Sequence, residues 1–155
     1  MQEPAIDRPW WTLRLTYGLV PIIAGIDKFT NLLTDWTQYL SPLATKVVPV
    51  SAPTFMHAVG IIEIIAGVLV LNQRTTRFGA YLVSAWLTCI ALDLVSMGSY
   101  LDVAVRDLVM GIGAFTLAKL TELRAHGRAT NEQEGRSLRS PPAPGRDVRL
   151  VDEPV

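Results

Sequence analysis

IIEIIAGVLVL, residues 61–71, carries one polar side chain, Glu63, in an otherwise apolar run. A helix at the surface of a soluble bundle needs a polar outer face, and this segment leaves none wide enough. Extended back to residue 55, the run reaches the ~17 residues that can cross a bilayer when the ends are anchored, where about 20 is usual. Three further apolar stretches lie at 10–29, 78–97 and 103–120. Together they predict an all-α, integral membrane four-helix bundle. Trp10, Trp11, Trp36 and Tyr39 flank the first span, and Tyr81 and Tyr100 the third, where amphipathic rings favour the membrane interface. Arg14 and Pro21 interrupt the first apolar run, and no small-residue cleavage site ends it, which argues against a cleaved signal peptide.

Lysine and arginine set the expected orientation. Arg8 precedes the first span, Arg74 and Arg77 occupy the short second loop, and Lys119, Arg124 and Arg128 follow the fourth span. The first loop, 30–54, offers only Lys46, and the third has Arg106 at its edge. The positive-inside bias then places both termini and the second loop in the cytoplasm. The expected organisation is an N-terminal cytoplasmic segment 1–9, a membrane domain 10–123 and a disordered cytoplasmic C-terminal tail 124–155. The tail is polar, and residues 141–144 read PPAP, so it has little to bury. The first loop carries Pro42, Pro49 and Pro53 and is expected to fold over the mouth of the bundle.

Composition bounds the chemistry. Of 155 residues 50% are hydrophobic and 18% charged, below the quarter usual in soluble domains, and the formal net charge is zero. Attraction to nucleic acid is therefore not expected. A single cysteine, Cys89, excludes an internal disulfide, and it reads as a buried, inert thiol. The two histidines make no zinc site without several carboxylates, so no metal is expected. There is no CxxCH, no cysteine cluster and no dinucleotide loop; Gly111 and Gly113 lie inside a span.

Ionisable groups inside membrane spans are costly and mark either function or a structural pair. Here they fall at one depth: Asp27 and Lys28 end the first span, His57 and Glu63 begin the second, Asp93 is late in the third, and Arg106 and Asp107 open the fourth. Spacings of three and four align Arg14, Gly18, Pro21, Gly25 and Lys28 on one stripe. The same rule aligns Met56, Gly60, Glu63 and Gly67; then Gly79, Val83, Trp86, Ile90 and Asp93; then Asp107, Gly111, Ala114 and Ala118. Small residues on such stripes let helices approach closely in lipid. The candidate polar cluster is Glu63, Asp93, Lys28, Arg106 and Asp107, with Trp86 and His57 as candidates for the wall of a cofactor pocket. Glu63 and Asp93 carry most of the argument, because short acids deep in apolar runs cannot snorkel. Lys28 and Arg106 have a simpler reading as snorkelling bases. Asp107 reads equally as a helix N-terminal acid, Asp27 as solvent-exposed, and Arg14 as an interface anchor or a partner for the fourth helix.

With Arg14, Gly18, the GIDKF element at 25–29, and Gly60-x-x-Glu63 with Gly67 in view, the sequence resembles the DoxX family over about residues 10–120. The resemblance implies a small four-span protein of a bacterial cytoplasmic (inner) membrane, linked to redox metabolism. Some archaeal relatives serve as subunits of thiosulfate:quinone oxidoreductase. Mycobacterial relatives are implicated in oxidative-stress complexes with a superoxide dismutase and a sulfurtransferase. Three functions compete on this basis. One is a quinone-linked redox subunit or accessory factor, in oxidative-stress or sulfur metabolism, with quinone the one cofactor implied. The others are a non-catalytic scaffold for soluble redox enzymes and a small proton-coupled transporter, the last requiring a homo-oligomer. Partners expected are the lipid bilayer and, beyond it, soluble redox enzymes or further copies of the chain.

Overall fold

The computed structural model describes residues 3–42 and 50–139. Helix α1 spans Glu3–Thr30, a short 3-10 helix spans Trp36–Tyr39, and α2, α3 and α4 span Ala52–Leu71, Thr76–Met97 and Leu101–Arg139. Helix ends follow local chemistry. Asn31 adopts a left-handed conformation (φ 48°) after α1, and its N–H returns to Asp27 O at 2.7 Å. Ser51 accepts from Thr54 N at the start of α2, where Pro53 occupies the first turn, a position that needs no N–H donor. Gly98, with φ 65°, ends α3, a conformation that costs glycine nothing.

The helices pack as two close pairs, α1 with α2 and α3 with α4, joined chiefly along α2 and α3. Within the first pair the backbones nearly touch. A Cβ on Gly25 would lie 2.5 Å from Gly60 O, and one on Gly60 2.6 Å from Gly25 O. Gly18 and Gly67 repeat the contact two turns along. The stripes read from the sequence face inward. Arg14, Gly18, Gly25 and Lys28 are buried, as are Met56, Gly60, Glu63, Gly67, Gly79, Val83, Gly111, Ala114 and Ala118.

The outward faces decide the solvent. Leu15, Leu19, Ile23 and Ile26 of α1 are exposed, as are Ile61, Ile65 and Val68 of α2. Leu92 and Val95 of α3 and Val105, Val109 and Ile112 of α4 complete an apolar girdle. A water-soluble bundle would carry polar residues there, so hydrocarbon is the medium this surface fits. By length and composition α2 and α3 each suffice to cross a membrane. By contrast α1 and α4 carry more charge, from Arg14, Asp27 and Lys28 and from Arg106, Asp107 and Lys119.

Arg14 resolves differently from its sequence reading. It does not pair with α4; its Nε donates to Val70 O at 3.2 Å and its Nη2 to Leu71 O. A full cation thus sits on carbonyls that end α2, the negative pole of that helix, sharing Val70 O with the Thr76 hydroxyl. Thr75 and Thr76 hydroxyls take the neighbouring carbonyls of Leu69 and Val70, at 2.7 and 3.0 Å. Side chains thus supplement the backbone bonds of the turn 72–75, where Asn72 N donates to Val68 O and Thr75 N to Asn72 O.

The expected disordered tail needs correction over 124–139, which continue α4. Three contacts tie this helix to the bundle beyond residue 120. Trp10 Nε1 donates to Thr121 Oγ1 at 2.8 Å, Tyr81 Oη to Glu122 Oε1 at 2.9 Å, and Arg124 pairs with Asp7 at 2.7 Å. Past Arg124 the sequence holds no proline before Pro141 and spaces Arg128, Glu132 and Arg136 by four, which supports helix. The remainder of the expected tail, 140–155, lies outside the described residues, as does 43–49 of the first loop.

Candidate functional site

Between the two helix pairs lies a cavity of about 580 Å³. Its inner wall is apolar, built by side chains such as Ala24, Val59, Ala66, Val83, Leu87 and Met110. Its other end is polar, and there all five members of the predicted cluster line it: Lys28, Glu63, Asp93, Arg106 and Asp107. Four helices therefore each deliver charge to one chamber, as the stripes require.

The centre of the polar end is an ion pair. Lys28 Nζ lies 2.6 Å from Glu63 Oε2, with both side chains almost fully buried. Lysine comes from the end of α1 and glutamate from the fourth turn of α2, brought opposite each other by the Gly25–Gly60 contact one turn away. Asp107 of α4 is half-buried nearby, within Coulombic reach of both Lys28 and Arg106. Asp93 stands apart on α3, where it accepts from Ser41 Oγ at 2.7 Å and so anchors the first loop.

Two residues leave the roles read from sequence. Asp27 is not solvent-exposed; it is 5% exposed and organises the loop. Its carboxylate accepts from the amides of Leu32 and Leu33 at 3.0 and 3.1 Å, from Thr30 Oγ1, and from Trp36 Nε1 at 2.7 Å. His57 does not line the chamber; it stacks on Phe29, with ring centroids 4.8 Å apart. Trp86 does line it. Its Nε1 is buried without a hydrogen-bond partner of normal geometry, although it lies within electrostatic reach of Glu63. Cys89, read as a buried thiol, is exposed on the chamber's flank.

Trp36 is the residue that sequence reading missed. Held by Asp27, its ring sits 3.7 Å from Lys28 Nζ, capping the ion pair from the loop side. Tyr39 continues this cover, packing edge-on to Tyr100 at 4.9 Å. Both rings had been assigned to the membrane interface. The only hint of a further role was Asp27 at the start of the loop, and a loop has no periodicity to point inward.

Chemically, the chamber offers an apolar body, a buried N–H donor at Trp86, an ammonium at Lys28, and carboxylates at Glu63 and Asp107. That set suits a mainly apolar molecule with a polar group at one end. Among the described residues no three His, Cys, Asp or Glu side chains group to hold a metal ion.

No curated protein and no solved structure matches the chain. The family model of DoxX matches residues 10–96, which include the whole of the Lys28–Glu63 pair, its glycine contact, Trp36, Trp86 and Asp93. On that match, over more than half its length, this chain is a member of the DoxX family.

Proposed function

We propose that the chain is a quinone-linked redox subunit or accessory factor of a bacterial inner membrane, acting in oxidative-stress or sulfur metabolism. All four helices cross the bilayer in this reading, with both termini cytoplasmic and the polar end of the chamber towards the outer surface. The observation that carries it is the chamber itself: an apolar cavity closed by a buried Lys28–Glu63 pair with the Trp86 indole N–H beside it. Burying two charges in hydrocarbon costs several kcal/mol unless geometry and further hydrogen bonds repay it, which argues for a role beyond packing.

A quinone, when bound, supplies two-electron chemistry coupled to proton uptake. The protein's own contribution is positional. Trp86 Nε1 and Lys28 Nζ donate to a carbonyl oxygen, Glu63 holds or releases a proton beside it, and Asp107 with Arg106 balances the charge. Trp36 shields the pair from water. Electrons come from a soluble partner enzyme, because this chain carries no motif for a haem, flavin or iron–sulfur group.

The test is purification from native membranes followed by lipid extraction. Quinone retained by the native chain and lost on Glu63→Gln supports the reading. A preparation without quinone that instead holds soluble enzymes, unaffected by Glu63→Gln, overturns it in favour of a scaffold. Solute flux through proteoliposomes of the pure protein overturns it in favour of transport.

A further inference from the structure

The other end of the bundle holds a second cavity, about 310 Å³, that shares no lining residue with the chamber. Trp10, Trp11, Gln73, Thr121, Arg124 and Arg128 line it. Arg14 and Arg124 bracket a single indole, their Cζ atoms 4.9 and 3.9 Å from the Trp10 ring centroid. Arg14 also lies 4.8 Å from the Trp11 ring. Trp10 is fixed between them by its hydrogen bond to Thr121. Arg128 is one helical turn beyond Arg124, on the same face of α4.

Among the described residues one acid, Asp7, makes an ion pair with these cations, through Arg124. Arg14 meets only carbonyl oxygens and aromatic faces, and its Nη1 is buried with no hydrogen-bond partner. Arg128 makes no ion pair among the described residues. Uncompensated positive charge beside hydrocarbon is stabilised by a mobile anion, and a guanidinium fork matches phosphate oxygens in particular.

A second feature gives the source of that anion. Trp11, Leu15, Leu19 and Ile23, spaced by four along α1, are all exposed. They form one apolar track that starts at the cavity wall and runs along the bundle. Paired tryptophans mark the depth of lipid headgroups, and basic pockets at that depth attract anionic lipid. We propose that this cavity binds the phosphodiester of an anionic phospholipid, with Arg124 and Arg128 on the phosphate and an acyl chain along the α1 track. The site rests on the membrane reading alone and is independent of what the chamber binds.

The test uses the full chain in neutral detergent, titrated separately with dioleoylphosphatidylglycerol, dioleoylphosphatidylcholine and inorganic phosphate, with binding read by native mass spectrometry. The anionic lipid is expected to bind at least about tenfold more tightly than the zwitterionic one, and inorganic phosphate not to bind at matched concentration. Arg128→Gln, on an exposed side chain, should weaken the anionic lipid about fivefold. The double change Asp7→Asn with Arg124→Gln removes an ion pair as a unit and should weaken it further. Equal binding of the two lipids, binding of phosphate alone as tightly as the lipid, or anionic-lipid affinity unmoved by both variants would overturn the proposal.

Discussion

Lys28 and Glu63, 35 positions apart in the chain, form a 2.6 Å ion pair at the polar end of a largely apolar chamber, with the Trp36 ring 3.7 Å from the ammonium. Nothing in either helix alone demands that meeting. It exists because Gly25 and Gly60 let α1 and α2 close to backbone contact one turn away, which fixes the two side chains at the same height.

Breaking this pair from one side should be costly. Lys28→Met or Glu63→Ala leaves a lone buried charge and is expected to destabilise the fold by about 3–5 kcal/mol. Changing both, to Met and Leu, should recover most of that loss. Thermal unfolding of the four proteins in one detergent checks the cycle. Single variants as stable as the parent would mean that water reaches the pair.

The glycine contact makes a sharper packing prediction. Gly25→Val or Gly60→Val places carbon against a backbone carbonyl that cannot move aside, and should cost about 3 kcal/mol or more, or prevent folding. Gly127→Ala, on an exposed turn of α4 with open space around it, should instead stabilise the helix by about 0.5–1 kcal/mol. Unfolding midpoints of the two classes should move in opposite directions.

Arg14→Met keeps the stem of the side chain but uncovers the carbonyl of Leu71 and leaves that of Val70 to Thr76 alone. Hydrogen bonds from charged donors are worth about 1.5–3 kcal/mol, so a loss of that order is expected. It should be local. Hydrogen exchange should quicken in the last turn of α2 and the turn 72–75, and stay unchanged around Lys28.

Asp27→Ala removes four acceptor contacts and should release the loop 31–42 from the mouth, with at least about tenfold faster amide exchange there, while the helices stay protected. Asp35 adds a pH dependence in the same loop. The hydroxyl and then the amide of Thr37 hold its carboxyl below the ordinary carboxylate range. A lowered carboxyl stabilises above its unfolded pKa, and that contribution fades as pH falls through the lowered value. The 3-10 turn should therefore loosen only in acid, below about pH 4, and Asp35→Asn should remove that dependence.

Cys89 tests the medium around the bundle. It is exposed on α3, in a helix long and apolar enough to cross a membrane. After denaturation in dodecyl sulfate N-ethylmaleimide should label it, but in intact membranes neither N-ethylmaleimide nor a sulfonated maleimide should, because both add to the thiolate, which needs water to form. Labelling by both in intact membranes would place this face in water.

The apolar runs, their number and the inward stripes were legible in the sequence, because helical periodicity and hydrocarbon matching are local properties of a segment. So was the depth shared by Glu63, Asp93, Lys28, Arg106 and Asp107. The tertiary structure alone decided which of these groups meet. Asp27 turns into the loop while its neighbour Lys28 turns to Glu63. Asp93 takes a loop hydroxyl, and Arg14 ends α2 rather than touching α4. Each of those choices rests on a contact between segments far apart in the chain, and turns on a few ångströms of helix approach that no single stretch of residues encodes.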